Sequence, residues 1–507
     1  RELGGARSIP VRMTMAIGPS RRLTTSTHYK WWVYGAVATG MFVTVMDQSG
    51  VHIAIPRIAD QFNADIPAVQ WVMLGYVLST SALLLPIGRV SDMVGRTRVY
   101  LAGLLVFMGL AAMGGAAQTL PVLIAAKVLQ GAGAAAIQAN GMAMIVSAFP
   151  DRERGRAVGL HMTVIGTGSI SGPIIGGLLT SRFGWRAVFY AGIPMGLIAV
   201  AAGLAVLRRE APARSTGSPG VKFDWPGAGM SSGALVTFLL GITNGYRLGW
   251  SSPFVVAAFG IAALLSVAFV RWERGASDPM LDLSLFRSKL FSMGVSARFL
   301  SFLGSSSVFF LMPFYLMQVL GYPASRAGLM VVPSSICMAI VGPISGRLSD
   351  RVGTRWLAVG GMALTAAAMF TFSRLTVDSS PALVIFGMVL SGSGSGIFSS
   401  TNTSAVMSSL GREKYGIVSA LLSVTRTSAN VTGVAIATTI IAVAMGSLGY
   451  EPTLAGVGNG GGEGVRLAFM TGLRWAYLLA VALVLAAMTL SALRGESRAD
   501  SALLQSE

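Results

Sequence analysis

Long apolar runs, broken by short polar or basic stretches, dominate the chain. Fourteen of them fall at roughly 31–55, 69–87, 99–117, 121–148, 157–181, 185–207, 227–245, 252–270, 291–320, 325–345, 356–374, 381–408, 417–448 and 467–493. Each is close to or above the ~20 residues that a helix needs to cross a bilayer. The apolar character is continuous rather than alternating, which predicts helices and excludes a membrane β-barrel built of ~10-residue alternating strands. Between the runs lie stretches of different character. Residues 1–30 are polar and basic and read as a disordered cytoplasmic tail, with Met13 or Met15 as a natural start and no cleavable signal. Residues 208–226 form a linker rich in Arg, Pro, Ser and Gly. Within 271–290, Leu281, Leu283, Leu285 and Phe286 beside Arg287 and Lys289 suit either a segment lying on the membrane surface or a plain loop. Residues 450–466 form a glycine-rich outer loop, and 494–507 a second cytoplasmic tail.

Composition narrows the class. The chain is 53% hydrophobic and 11% charged, against about 25% charged for a soluble domain. A net charge of +18 suggests nucleic acid, but its distribution points elsewhere. Of the 38 Lys and Arg, 27 fall in the N-terminal tail, the even-numbered connections and the C-terminal tail. That is the positive-inside pattern, with both termini cytoplasmic, and it needs no nucleic acid. The single cysteine, Cys337, permits no intrachain disulfide. No Cys/His cluster suggests a metal, and no Gly-x-x-x-x-Gly-Lys-Ser/Thr loop suggests ATP.

One phrase occurs twice. Gly88-Arg-Val-Ser-Asp-Met-Val-Gly95 returns as Gly346-Arg-Leu-Ser-Asp-Arg-Val-Gly353, 258 residues later. The copies follow the second and the tenth run, so the first six runs pair with the last six. The expected architecture is an all-α membrane protein: a six-helix bundle over 31–207, an inserted helical pair within 208–290, and a second six-helix bundle over 291–493. Duplication of this kind is common in transporters. Gly88, Gly95, Gly346 and Gly353 are read as turn residues. Arg89, Asp92 and Arg96, with Arg347 and Asp350 in the second copy, are read as a charged cytoplasmic latch; the alternative is simple anchoring of the loop by its arginines.

Apart from arginines near the outer ends of runs, four charges stand inside them. Asp47 is the acidic residue placed well within one, and an intramembrane carboxylate is a functional-site hypothesis by default. Lys127 is its expected partner, against the alternative of a lysine snorkelling to the surface. Arg426 needs a carboxylate or carbonyl that the sequence does not identify, and Arg298 reads as lying near a span end. His52, five residues from Asp47, is either a second proton site or a polar residue at the outer end of the first span. Gly168, Gly172 and Gly176 recur every four residues beside Pro173 and Gly177. They form a small-residue face for a close contact, read here as one between the two halves.

These motifs together resemble a known family. Gly88–Arg96 resembles the signature loop of the major facilitator superfamily, and Gly168–Gly177 resembles its antiporter motif, Gly-x-x-x-Gly-Pro-x-x-Gly-Gly. Met46–Pro56, Leu123–Ala134, Gly184-Trp-Arg186, Asp224-Trp-Pro-Gly227, Leu285-Phe-Arg287 and Ala327-Gly-Leu329 are similar to the fourteen-span drug:proton antiporters. The resemblance implies the facilitator fold, proton coupling through Asp47, and proton handling at position 127, where the family has Arg in place of Lys127. His52 and Gly192 depart from the family's Asn.

The expected function is proton-coupled efflux of lipophilic compounds by alternating access, driven by the proton gradient without ATP or another cofactor. Export of one dedicated metabolite or antibiotic is the rival reading, and a non-transporting sensor a weaker one. The single deep carboxylate argues against divalent cationic substrates. The expected partners are a small lipophilic substrate, protons and membrane lipid, with no nucleic acid. The protein is expected to be a monomer in a bacterial inner membrane.

Overall fold

The computed structural model describes residues 28–149, 154–207, 224–275, 283–408, 415–450 and 463–494. Fourteen long helices account for most of them: α1 (Tyr29–Phe62), α2 (Trp71–Val94), α3 (Arg96–Gly115), α4 (Leu120–Ala148), α5 (Arg154–Phe183), α6 (Arg186–Val206), α7 (Trp225–Leu248), α8 (Pro253–Gly275), α9 (Lys289–Phe314), α10 (Ala324–Val352), α11 (Arg355–Ser373), α12 (Pro381–Ser408), α13 (Tyr415–Ser447) and α14 (Glu463–Leu493). Thirteen, α2 to α14, are long and apolar enough to cross a membrane. The remaining helix, α1, is interrupted by Asp47, Gln48 and His52. At 34 residues it is about 51 Å long, well beyond the ~30 Å hydrocarbon core.

The packing repeats. In the first half α1 packs on α5 and α6, α2 on α4, and α3 on α4 and α6. In the second half α9 packs on α13 and α14, α10 on α12, and α11 on α12 and α14. Each pair has its counterpart eight helices later, so the fold is two six-helix bundles with α7 and α8 inserted between them and packed on each other. Asp224 shapes the start of the inserted pair. Its carboxylate accepts the Gly227 backbone N–H at 2.9 Å, capping α7, and Trp272 Nε1 of α8 at 2.7 Å. Pro226 stands at a helix start, where a missing N–H does no harm.

Several boundaries differ from expectation. Residues 88–94 and 346–352 are helix rather than turn, because α2 and α10 continue past the apolar run into their charged ends. The turns sit at Gly95 and Gly353, whose φ values of 107° and 83° favour glycine. Gly88 has open space where a side chain would stand, so neither space nor backbone demands glycine there. The segment Leu283–Arg287 is a short 3₁₀ turn. Leu285 is buried against Phe291, Val406 and Leu422 of the second bundle, so the turn is anchored in protein rather than laid on a membrane surface; Leu281 lies outside the described residues. Arg494, assigned to the C-terminal tail, is instead 1% exposed inside the second bundle. It donates to Asn402 Oδ1 at 3.1 Å and Thr354 Oγ1 at 3.2 Å. Most of the N-terminal tail, the linker and the glycine-rich loop lie outside the described residues, as do residues 495–507.

The hydrogen bonds that join the halves cluster toward one end of the molecule. Gln318 Nε2 donates to both Asp60 oxygens at 2.8 Å. The Ser325 backbone N–H donates to Ser181 Oγ at 2.8 Å, and Thr438 Oγ1 donates to Gln70 Oε1. A π-helical turn, Tyr315–Val319, ends α9 and carries Gln318 toward α1.

Candidate functional site

Asp47 and Lys127 meet. They stand 80 residues apart in sequence, on α1 and α4, and Lys127 Nζ donates to Asp47 Oδ2 at 2.7 Å, with both side chains 3% exposed. The ammonium also faces the rings of Tyr76 on α2 and Phe189 on α6, at 5.1 and 4.9 Å from their centroids. Four helices of the first bundle therefore enclose one ion pair. Such a pair is held only where the fold compensates its desolvation, and cation–π contacts of this kind add about 2 kcal/mol when desolvated. Snorkelling of Lys127 is excluded. Sequence reasoning missed two neighbours. Gln130, three residues after Lys127, and the Tyr76 hydroxyl are buried, and their polar atoms find no hydrogen-bond partner among the described residues. The signal was available: a glutamine one helical turn from the lysine, inside an apolar run.

The glycine motif explains how α1 is held in register around Asp47. Gly168, Gly172 and Gly176 do line one face, but they face α1 of their own bundle rather than the other half. A side chain at Gly168 would stand 2.9 Å from Val45 Cβ, one at Gly176 2.7 Å from the Gly50 carbonyl, and one at Gly172 would collide with Ser49 Oγ. Ser49 Oγ donates to the Gly168 carbonyl at 3.1 Å across this seam. The contact between halves belongs to the other motif positions. A side chain at Gly177 would stand 2.5 Å from the Ala324 carbonyl oxygen, and one at Gly328 of α10 would collide with the Pro173 carbonyl. Spacing revealed the face; only the fold shows which helix it meets.

His52 faces the other half, its Nδ1 lying 3.4 Å from the Phe309 carbonyl of α9. It bridges the halves on the side of Lys127, whose charge reaches it.

In the latch, the side chains of Arg89, Asp92 and Asp350 lie outside the described residues. Arg347 is exposed, and Arg96 is half-buried and engaged with a neighbour. Asp92 stands in the last turn of α2. Around the first copy, Ser91 donates to the Ile87 carbonyl at 2.7 Å and accepts from Asn140 Nδ2 at 2.8 Å, tying α2 to α4. In the second bundle Asn402 on α12 ties to a different helix, donating to the Gly294 carbonyl of α9 at 3.1 Å.

The second bundle holds charge differently. Arg298 is buried in the third turn of α9, not at a span end. Its Nε donates to the Leu422 carbonyl at 3.1 Å, its Nη1 to Thr403 Oγ1 at 3.1 Å, and its guanidinium lies 5.1 Å from the Phe302 ring centre. Arg426 on α13 lies one helical turn beyond Leu422, so the two cations stand close together. Neither makes an ion pair with a carboxylate among the described residues.

A duplicated helical membrane bundle with charged groups held at its centre is the architecture of a secondary transporter. The chain belongs to the Major Facilitator Superfamily, whose sequence profile matches residues 37–434 and again 295–505. It is 31% identical to the "Multidrug resistance protein Stp" of Mycobacterium tuberculosis over 83% of this chain and 77% of that protein. It is also 31% identical to the "Tetracenomycin C resistance and export protein" of Streptomyces glaucescens, over 82% and 76%. The "Riboflavin transporter RibZ" of Clostridioides difficile is 30% identical over 78% and 85%. Among solved structures, a bacterial homologue of the human lysosomal transporter Spinster superposes with a TM-score of 0.68 at 18% identity, covering 95% of this chain and 98% of that one. The fold is therefore the facilitator fold, in an integral membrane protein.

Proposed function

We propose that this transporter is a proton-coupled exporter of lipophilic small molecules, with both termini on the cytoplasmic side of a bacterial inner membrane. The observation that carries this reading is the buried Asp47–Lys127 pair. Among the described residues, Asp47 is the one carboxylate held in the middle of the first bundle, and its side chain bonds a lysine. A proton arriving at Asp47 removes the charge that holds Lys127 and leaves the ammonium between two aromatic rings. That change in pairing biases the packing of α1 against α4, and α1 also carries His52 and Asp60 to the other half. Loss of one pair thus reaches the contacts that keep the outer end closed. The buried polar atoms of Gln130 and Tyr76 beside the pair give a proton a polar path through otherwise apolar surroundings.

Alternating access then requires the α5–α10 seam to part at Gly177 and Gly328 as the opposite end closes. The exporters among the relatives support efflux as the direction. The tetracenomycin C relative favours a second reading, export of one dedicated antibiotic or metabolite.

Transport in inside-out vesicles with an imposed pH gradient, over a panel of lipophilic compounds, tests the proposal. Asp47→Asn is expected to abolish gradient-driven uptake while leaving substrate binding measurable. Undiminished coupled transport in that variant would overturn the assignment of Asp47.

A further inference from the structure

Intramembrane cations normally come with a counter-charge. In the first bundle Lys127 has Asp47. In the second, Arg298 bonds the Leu422 carbonyl, one helical turn before Arg426, so two cations stand close together, and no carboxylate among the described residues pairs with either. Arg298 is partly satisfied by the Leu422 carbonyl and the Thr403 hydroxyl. Arg426 has no hydrogen-bond partner among the described residues. Its side chain is exposed while that of Arg298 is buried, and a charge in the middle of a spanning helix faces the bundle interior or water rather than lipid. Its neighbours Thr425 and Ala429 are buried, and Thr427, Ser428 and Asn430 are half-buried, so Arg426 is the most exposed residue of this turn among those described.

Both arginines sit at similar depth. Arg298 is nine residues from the start of α9 and Arg426 eleven from the start of α13, about 14 and 17 Å along helices that both begin at the proposed cytoplasmic face. Asp47 is eighteen residues into α1, about 27 Å from that face. The arginine pair therefore stands between the cytoplasm and the ion pair, on the route of a compound entering from inside. A guanidinium is always charged and presents a planar fork of donors suited to a carboxylate or a similar oxyanion.

We propose that Arg298 and Arg426 form a binding site for an anionic group, and that the exported compounds include lipophilic acids whose carboxylate or phenolate docks there. This rests on the transporter reading and specifies its substrate class. Lys127 is already matched by Asp47, so it does not compete for that anion, whereas among the described residues neither arginine is matched by a carboxylate.

The test is equilibrium binding to the purified full-length protein in detergent, without any proton gradient, using 1-naphthoate and its neutral isostere 1-naphthamide. The wild type is expected to bind naphthoate about tenfold tighter or more, the scale of a charge-assisted contact. Arg426→Gln is expected to bring the ratio close to one while leaving naphthamide affinity and thermal midpoint unchanged; Arg426→Lys should retain part of the preference. Arg298→Gln is expected to act in the same direction. Because Arg298 also braces α9 against α12 and α13, Arg426→Gln carries the test if that variant fails to fold. A wild type that binds the two compounds equally, or a preference that survives Arg426→Gln, overturns the site. Abolition of naphthoate binding by added phosphatidylglycerol would assign the arginines to a lipid phosphate and overturn the substrate assignment. Binding and coupling fail separately: a preserved acid preference beside absent gradient-driven uptake faults the coupling reading alone.

Discussion

The two bundles share a helix order and a packing scheme yet treat buried charge in opposite ways. The first neutralises its lysine with a carboxylate at 2.7 Å and walls the pair with aromatic rings. The second leaves two arginines together, one braced by a carbonyl and a hydroxyl, the other exposed. Duplication thus preserved the scaffold and not the electrostatics. A scaffold depends on apolar length and small-residue seams, which tolerate wide sequence change. Charge at the centre is set by a handful of positions and is free to diverge once each half has its own task.

The comparison can be broken most severely at Lys127. Lys127→Ala leaves Asp47 buried without its partner, and a thermal or denaturant unfolding assay in detergent should show a loss of about 3–5 kcal/mol. The double variant Lys127→Met with Asp47→Asn should recover most of that stability without recovering gradient-driven uptake. Arg426→Met, by contrast, should be neutral or slightly stabilising, since it removes a repulsion. Equal destabilisation by Arg426→Met and Lys127→Ala would mean the halves do not differ as described.

Smaller effects sharpen the comparison at the seams. Gly176→Ala forces a methyl against the Gly50 carbonyl within the first bundle and should cost about 1–3 kcal/mol by overpacking. Gly328→Ala strikes the seam between bundles, so it should alter conformation more than stability. In a Cys337→Ser background, a cysteine at position 181 should label with an impermeant maleimide about tenfold faster, the shift that 1.4 kcal/mol supplies. Asp224→Ala should do least. Loss of the α7 cap lowers stability by about 1 kcal/mol, with the naphthoate preference intact.

Much of the scaffold was legible in the sequence because a bilayer fixes the length of an apolar run, and the repeated phrase aligned the halves. The run ends were not legible. Charged residues such as Arg89 and Arg347 look like loop, but a helix needs no apolar side chains once it leaves the hydrocarbon, so α2 and α10 continue through them. Asp47 and Lys127 were visible as charges, while their meeting depends on how α1 crosses α4. The glycine face was visible as spacing, but spacing is silent about the partner helix. Arg494 carried no signal at all. It follows the last apolar run, where an arginine normally meets water, and only the fold brings it against Asn402 and Thr354.

The inserted pair has a mechanical consequence. Helix α7 touches α2 of the first bundle and α13 of the second, and Leu239 and Ile242 are buried in the core that both bundles share. A strut attached to two rocking bodies cannot stay fixed to both. When the bundles tilt, α7 must slide along one of them, and the looser of its two contacts sets which bundle carries it through the cycle.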